Sequence, residues 1–237
     1  MRRLSLYTVV IVLLALAGLL VIASCKPQQN EASGGGNELF PNGNTPTKVS
    51  ESSNKPPVEA QAPLTRMDTV LPGEKAYPPP TQAEADAARK AGTRHGTIET
   101  DRGAIEVELY GKETPLTVAN FVKLAAASYY NGLKFHRVVP GFVVQGGDQH
   151  GDGQGGPGYT IRREVSSKLK HDEGVLAMAR KEDPDSAGSQ FYITLAPTPD
   201  LDGPPNGPYT VFGKVVKGMD IVKKIQQGDK IISIRVK

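Results

Sequence analysis

The chain has 237 residues, 38% of them apolar and 22% charged, and a formal net charge of +3. Its 26 glycines and 19 prolines are too many for a compact domain alone and point to an unstructured stretch beside a folded one. So small a charge does not argue for nucleic acid as the main partner, and none is expected. A single cysteine excludes an internal disulfide and, with only four histidines, argues against a structural zinc cluster.

Arg2 and Arg3 precede a charge-free apolar run from Leu4 to Ser24, the layout of a secretory signal. Length alone would also allow a membrane span, so the end of the run decides. Ile22-Ala23-Ser24-Cys25 resembles a bacterial lipobox, in which the cysteine is lipidated and becomes the first mature residue. Residues 1–24 therefore read as a lipoprotein signal peptide and Cys25 as the lipidation site. The expected location is extracytoplasmic, anchored to a bacterial membrane on its periplasmic or outer face. One acyl chain anchors only marginally, and the resemblance implies two or three. Loss of the signal also removes two arginines, which leaves the mature chain within one charge of neutral.

Residues 25–80 are rich in Pro, Gly, Ser and Asn, with no helical or strand periodicity. They read as a disordered tether, spanning ~40 Å root-mean-square if it behaves as flexible coil. Residues 81–92 hold good helix formers ending at Gly92, which predicts a short helical lead-in outside the core.

The folded domain is expected over 93–237. Ile105, Val107 and Leu109 alternate with polar residues and follow Asp101-Arg102-Gly103, the pattern of a hairpin with Thr97–Thr100. Thr114-Pro115 offers an N-cap and a first-turn proline for a helix whose apolar face carries Val118, Phe121, Val122 and Ala125. Short strands are predicted at Phe142–Gln145, Val175–Ala179, Phe191–Leu195, Val211–Val215 and Ile231–Val236, with a second helix over Met219–Gln227. Many short strands and few helices suggest a closed β-barrel with helical covers. Gly151, Gly153 and Gly156 fit a dinucleotide fingerprint in spacing only, since Pro157 follows and no helix opens there; they read as a surface loop. His150 with Asp148 and Asp152 lacks the spacing on a rigid element that metal sites use.

Three ordered blocks carry a family resemblance. They are Phe135-His136-Arg137-Val138-Val139-Pro140-Gly141-Phe142-Val143-Val144-Gln145-Gly146-Gly147-Asp148, then Gly188-Ser189-Gln190-Phe191-Tyr192-Ile193, then Val211-Phe212-Gly213-Lys214-Val215-Val216 with Gly218-Met219-Asp220 behind it. Together they resemble the cyclophilins, the cyclosporin-binding peptidyl-prolyl cis-trans isomerases, over about 60% of the chain and none of the tether. The resemblance implies a mainly β domain: a closed, eight-stranded antiparallel barrel capped by two α-helices. It also implies an enzyme, acting on proline-containing polypeptides, and nothing in the sequence points beyond a monomer.

The chemistry accounts for such a set of residues. Peptide-bond rotation faces ~18–20 kcal/mol because the nitrogen lone pair is delocalised, while the two X-Pro isomers differ by only about 0.5–1 kcal/mol. A catalyst has to favour the twisted state, in which the lone pair returns to the prolyl nitrogen. A fixed cation near that nitrogen and an apolar socket for the ring suffice in principle, so no cofactor and no metal is expected. Arg137 offers a planar fork of donors that stays charged. Carried over residue by residue, the resemblance makes Arg137, Gln145 and Phe142 the catalytic set, with Gln145 orienting the arginine. Val143, Tyr192 and Leu201 would line the proline socket with Phe142. Ala179 and Arg180 would follow the substrate backbone along an edge strand, Tyr209 would stand at the rim, and His136 would lie beside the site.

Departures from the best-known eukaryotic pattern are Val143 for a methionine, Tyr192 for a phenylalanine, Arg180 for an asparagine and Tyr209 for a histidine. The tryptophan that contacts cyclosporin aligns near Asp200, so weak cyclosporin inhibition is expected. Because Arg137, Phe142 and Gln145 are retained, an isomerase for exported proteins is the leading expectation. The alternative is a module that grips proline-containing segments without turnover.

Overall fold

The computed structural model describes residues 63–68, 75–205 and 207–237; Cys25, the signal and most of the tether lie outside them. A first strand, β1 (Thr65–Met67), is followed by helix α1 (Gln82–Ala91), strands β2 (Thr93–Thr100) and β3 (Gly103–Tyr110), and helix α2 (Pro115–Ala126). Then come β4 (Arg137–Val139), β5 (Val143–Gly146), β6 (Tyr159–Ile161), β7 (Val175–Met178) and β8 (Phe191–Thr194). A 3₁₀ turn (Pro199–Leu201), β9 (Val211–Lys217), α3 (Met219–Val222) and β10 (Ile231–Val236) complete the chain.

Eight strands form one antiparallel sheet in the order β10-β2-β3-β9-β7-β8-β5-β4, curled into a half-barrel. The expectation of a closed barrel is corrected: β4 and β10, the two outer strands, do not pair as strands. The segment before β4 meets the segment before β10 instead, through an isolated Lys134–Lys230 bridge and backbone bonds from Phe135 N–H to Asp229 O and Ile231 N–H to Leu133 O. The β2–β3 hairpin follows from its alternation. Ile98, Ile105, Val107 and Leu109 are fully buried and pair in register, with Ile98 opposite Ile105.

Helix α2 lies against the inside of the sheet through Phe121, whose ring meets Tyr130, Phe191 and Phe212 at centroid distances of 5.2, 5.4 and 5.2 Å. Pro115 stands in its first turn as expected, but Thr114 does not cap it. The Thr114 hydroxyl donates to Tyr110 O, and the carboxylate of Glu164 accepts from the N–H groups of Leu116 and Thr117 instead. A carboxylate there satisfies free amides and faces the positive end of the helix dipole.

The structure has three α-helices among the described residues, the expected lead-in helix α1 and the two covers, but α1 joins the core instead of lying outside it. Thr81 and Glu84 form a capping box, and Ala85 and Ala88, one turn apart, bury against α2. Their small side chains let the helix sit close, and a Cβ at Gly111 would collide with the carbonyls of Ala88 and Gly92. The lead-in helix is therefore part of the domain. β1 also lies inside the stretch assigned to the tether, where it pairs antiparallel with β6. The last helix is four residues long, shorter than expected. After Val222 the chain tightens into i→i+3 bonds, Lys224 N–H to Ile221 O and Ile225 N–H to Val222 O, which still bury Ile225.

Candidate active site

β4 and β5 run antiparallel with Arg137 directly opposite Gln145. Side chains at paired positions share a face, so Arg137 Nη1 donates to Gln145 Oε1 at 3.2 Å. The guanidinium carbon also stands 5.6 Å from the centroid of the Phe142 ring. Phe142 reaches this place because the chain turns between β4 and β5 at Gly141, which has φ 71°.

Gln145 is held from behind. Its Nε2 donates to Gln190 Oε1 at 3.0 Å, and Gln190 Nε2 donates to the carbonyls of Gly153 and Gly155. Those carbonyls belong to the glycine-rich loop, which wraps Asp148. The Asp148 side chain is 1% exposed and accepts from the backbone N–H groups of His150 and Gly153. Burial pushes its carboxyl up, but those two bonds and the nearby His136 outweigh burial and hold it below the usual range. Asp148, His150 and Asp152 do lie within 4.8 Å of one another, with Asp148 already serving the loop backbone.

Beside the guanidinium a separate apolar cluster gathers Val143, Val175, Ala177, Tyr192 and Val211, with Phe142, Leu169, Ala179, Leu201 and Tyr209 packed on it. Six residues singled out from the sequence, Phe142, Val143, Ala179, Tyr192, Leu201 and Tyr209, thus share one patch. Leu201 comes from the 3₁₀ turn, and Tyr209 meets Tyr192 edge-on at 6.1 Å. Arg180 lies over the Tyr209 ring at 4.3 Å and donates to the carbonyl of Lys181. One expectation is corrected: β7, which leads into Ala179 and Arg180, is an interior strand between β9 and β8, and the Ala179 N–H is taken by Gln190 O.

His136 falls outside this cluster. It is half-buried and neither ring nitrogen has a hydrogen-bond partner; burial pulls its pKa down, so it is neutral near pH 7. Sequence reasoning missed the floor of the patch. The Tyr192 hydroxyl bonds His171 Nε2 at 2.9 Å, and His171 Nδ1 bonds Asp202 Oδ1 at 2.7 Å. His171 is 2% exposed and its ring stacks on Tyr192. A carboxylate only accepts, so Nδ1 donates to Asp202, and in the neutral ring Nε2 then accepts from the tyrosine. Burial raises the Tyr192 pKa far above its ordinary value, so the phenol keeps its proton. Nothing in the mixed charge of residues 168–173 distinguishes His171 in the sequence.

An arginine cation beside a largely apolar socket, on a curled antiparallel half-barrel, defines the class of site: one that can hold an apolar ring next to a charged donor. The cyclophilin type peptidyl-prolyl cis-trans isomerase family model matches residues 95–236. Peptidyl-prolyl cis-trans isomerase B of Bacillus subtilis is 50% identical over 137 residues, covering 57% of this chain and 92% of that protein. A peptidyl-prolyl cis-trans isomerase of Helicobacter pylori is 46% identical over 147 residues, 61% of this chain and 87% of that one. The crystal structure of a cyclophilin type isomerase from Cryptosporidium parvum superposes with a TM-score of 0.56 at 32% identity, covering 61% of this chain and 98% of that one. The chain belongs to the cyclophilin-type peptidyl-prolyl cis-trans isomerases, and it is an enzyme of that type.

Proposed function

We propose that this isomerase is tethered by lipid at Cys25 outside the cytoplasm and speeds X-Pro isomerisation in exported polypeptides, without metal or covalent intermediate. The observation that carries the mechanism is the Arg137–Gln145 pair at the edge of the apolar patch. The patch takes the proline ring by burial of its apolar surface. Arg137 then donates toward the prolyl nitrogen, whose lone pair becomes available only in the twisted state. Gln145, bonded to Gln190, orients the exposed guanidinium along the β4–β5 face. A lowering of ~7 kcal/mol would raise the rate ~10⁵-fold. A second Cryptosporidium parvum cyclophilin structure, 32% identical with a TM-score of 0.55, was obtained in the presence of the dipeptide Ala-Pro. That supports a proline-containing peptide as the substrate here.

The anchor rests on Ile22-Ala23-Ser24-Cys25 behind Arg2, Arg3 and a charge-free run. Such a location suits the activity, since uncatalysed X-Pro isomerisation takes tens to hundreds of seconds and can limit folding. Two measurements test the reading. Relaxation of a cis X-Pro peptide should be strongly accelerated by the full chain and on the order of 100-fold less by Arg137→Ala. In bacterial membranes, fractionation with acyl-chain labelling should find wild type labelled and Cys25→Ser unlabelled; equal labelling would sink the anchor.

A further inference from the structure

The active site opens into a cleft of about 900 Å³ that shares Gln145, Ala179, Arg180 and Gln190 with it. Its far wall is built by Arg66, Met67 and Asp68, from β1 and the residue after it. The family match begins at residue 95, so this wall comes from outside the part of the chain that defines the family.

The wall is fastened at several points. β1 pairs Thr65 with Ile161, Arg66 with Thr160 and Met67 with Tyr159. The pairing extends at both ends, with Arg162 N–H donating to Leu64 O and Asp68 N–H to Gly158 O. Arg66 Nη2 reaches Asp183 Oδ2 at 2.7 Å and the Asp185 carbonyl at 2.9 Å, and Asp183 also lines the cleft. That ion pair is half-exposed and worth little alone; the ladder holds the strand, and the pair sets where it lies. Met67, 66% exposed, leaves an apolar side chain beside polar groups at the cleft.

We propose that β1 is a wall of the substrate groove, which binds the residues flanking the X-Pro pair and so favours long, extended segments over short peptides. A polypeptide seated at Arg137 continues past Gln145 and Arg180 without leaving the surface. Met67 supplies apolar contact to a passing side chain and Asp68 and Arg66 supply polar groups, so recognition reads length more than charge. This rests on the reading of Arg137 as the catalytic group.

The test uses the full chain with two substrates that share one X-Pro pair, a four-residue peptide and a twelve-residue unfolded peptide. Arg66→Asp sets like charges against Asp183 and moves the wall; Met67→Ala keeps the wall and removes its apolar contact. The ratio of kcat/KM, long over short, should fall by about fivefold or more in Arg66→Asp, mainly through KM, a change of about 1 kcal/mol. Met67→Ala should lower it in the same direction. A ratio within twofold of wild type in both variants overturns the proposal. Arg137→Ala, run alongside, separates the two readings: activity kept on both substrates would reject Arg137 as the catalytic group whatever the ratio does.

Discussion

Arg137 and Gln145 face each other across an antiparallel strand pair, and the guanidinium donates to the amide oxygen at 3.2 Å. The cation is thus aimed by backbone register, with a short polar chain behind it rather than a long, free side chain. Arg137→Lys should therefore fail almost as badly as Arg137→Ala. A lysine is a point charge on a flexible stem and cannot donate to Gln145 and to a prolyl nitrogen through one planar fork. Relaxation of an X-Pro peptide should show kcat/KM reduced on the order of 100-fold for either variant, about 2.7 kcal/mol of lost transition-state stabilisation. Near-full activity in Arg137→Lys would show that charge alone suffices.

Gln190 is the next link, anchored by two loop carbonyls and bonded to Gln145 Nε2. It lines the cleft beside the site, and on the reacting bond it acts through Gln145 as a positioning residue. Gln190→Ala should lower kcat on the order of tenfold with a smaller change in KM, since its loss blurs the transition-state geometry rather than the socket. Gln190→Glu keeps the acceptor for Gln145 but turns a carboxylate toward the Gly153 and Gly155 carbonyls, so it should recover only part of the loss. A purely structural role would lower the melting temperature and leave the kcat/KM split flat.

How far the sequence carried these features depends on how local they are. The β2–β3 hairpin was legible because alternation and turn residues lie within a few positions, and the short Ile231–Val236 run has the expected bounds as β10. Most of the socket was legible too, since Phe142, Val143 and Tyr192 sit in motif blocks. β1 was not. Thr65-Arg66-Met67 has no period of its own and is a strand only because β6, nearly a hundred residues away, offers its edge. The same holds for Glu164, which caps α2 from a distance of 47 residues in sequence, and for His171 beneath Tyr192. Closure of the barrel failed for a related reason: the last step between β4 and β10 is made by single bonds, not by a strand ladder.

The Asp202–His171–Tyr192 chain gives the next prediction. Tyr192→Phe restores an apolar ring at the socket floor but removes the partner of His171 Nε2, which is buried. A buried polar atom left unpaired costs about 1–3 kcal/mol. The melting temperature should drop accordingly, and His171→Phe in the same background should return part of the loss. If Tyr192→Phe is as stable as wild type, the hydroxyl bond contributes nothing net.

Acid pH should disable the site before the core melts. Asp148 has a carboxyl held below the ordinary value of 3.8 in the folded chain, so its contribution is complete above that value. As pH falls through the depressed folded value, protonation removes the acceptor for the N–H groups of His150 and Gly153. The folded state binds that proton less readily than the unfolded one, so stability falls with falling pH. The loop it releases is the one whose carbonyls hold Gln190, and through it Gln145 and Arg137. Activity should then decline only once the pH is below 3.8, as the depressed carboxyl takes up its proton, while the far-ultraviolet circular dichroism of the sheet persists to lower pH. Asp148→Asn should show the same activity loss already at pH 7, because an amide accepts through one oxygen where the carboxylate uses two. Between pH 7 and 9 the wild-type rate should stay flat: the reaction moves no proton, Arg137 keeps its charge, and burial keeps His136 neutral there. A rate that instead rises or falls across that range would place a titrating group in the mechanism.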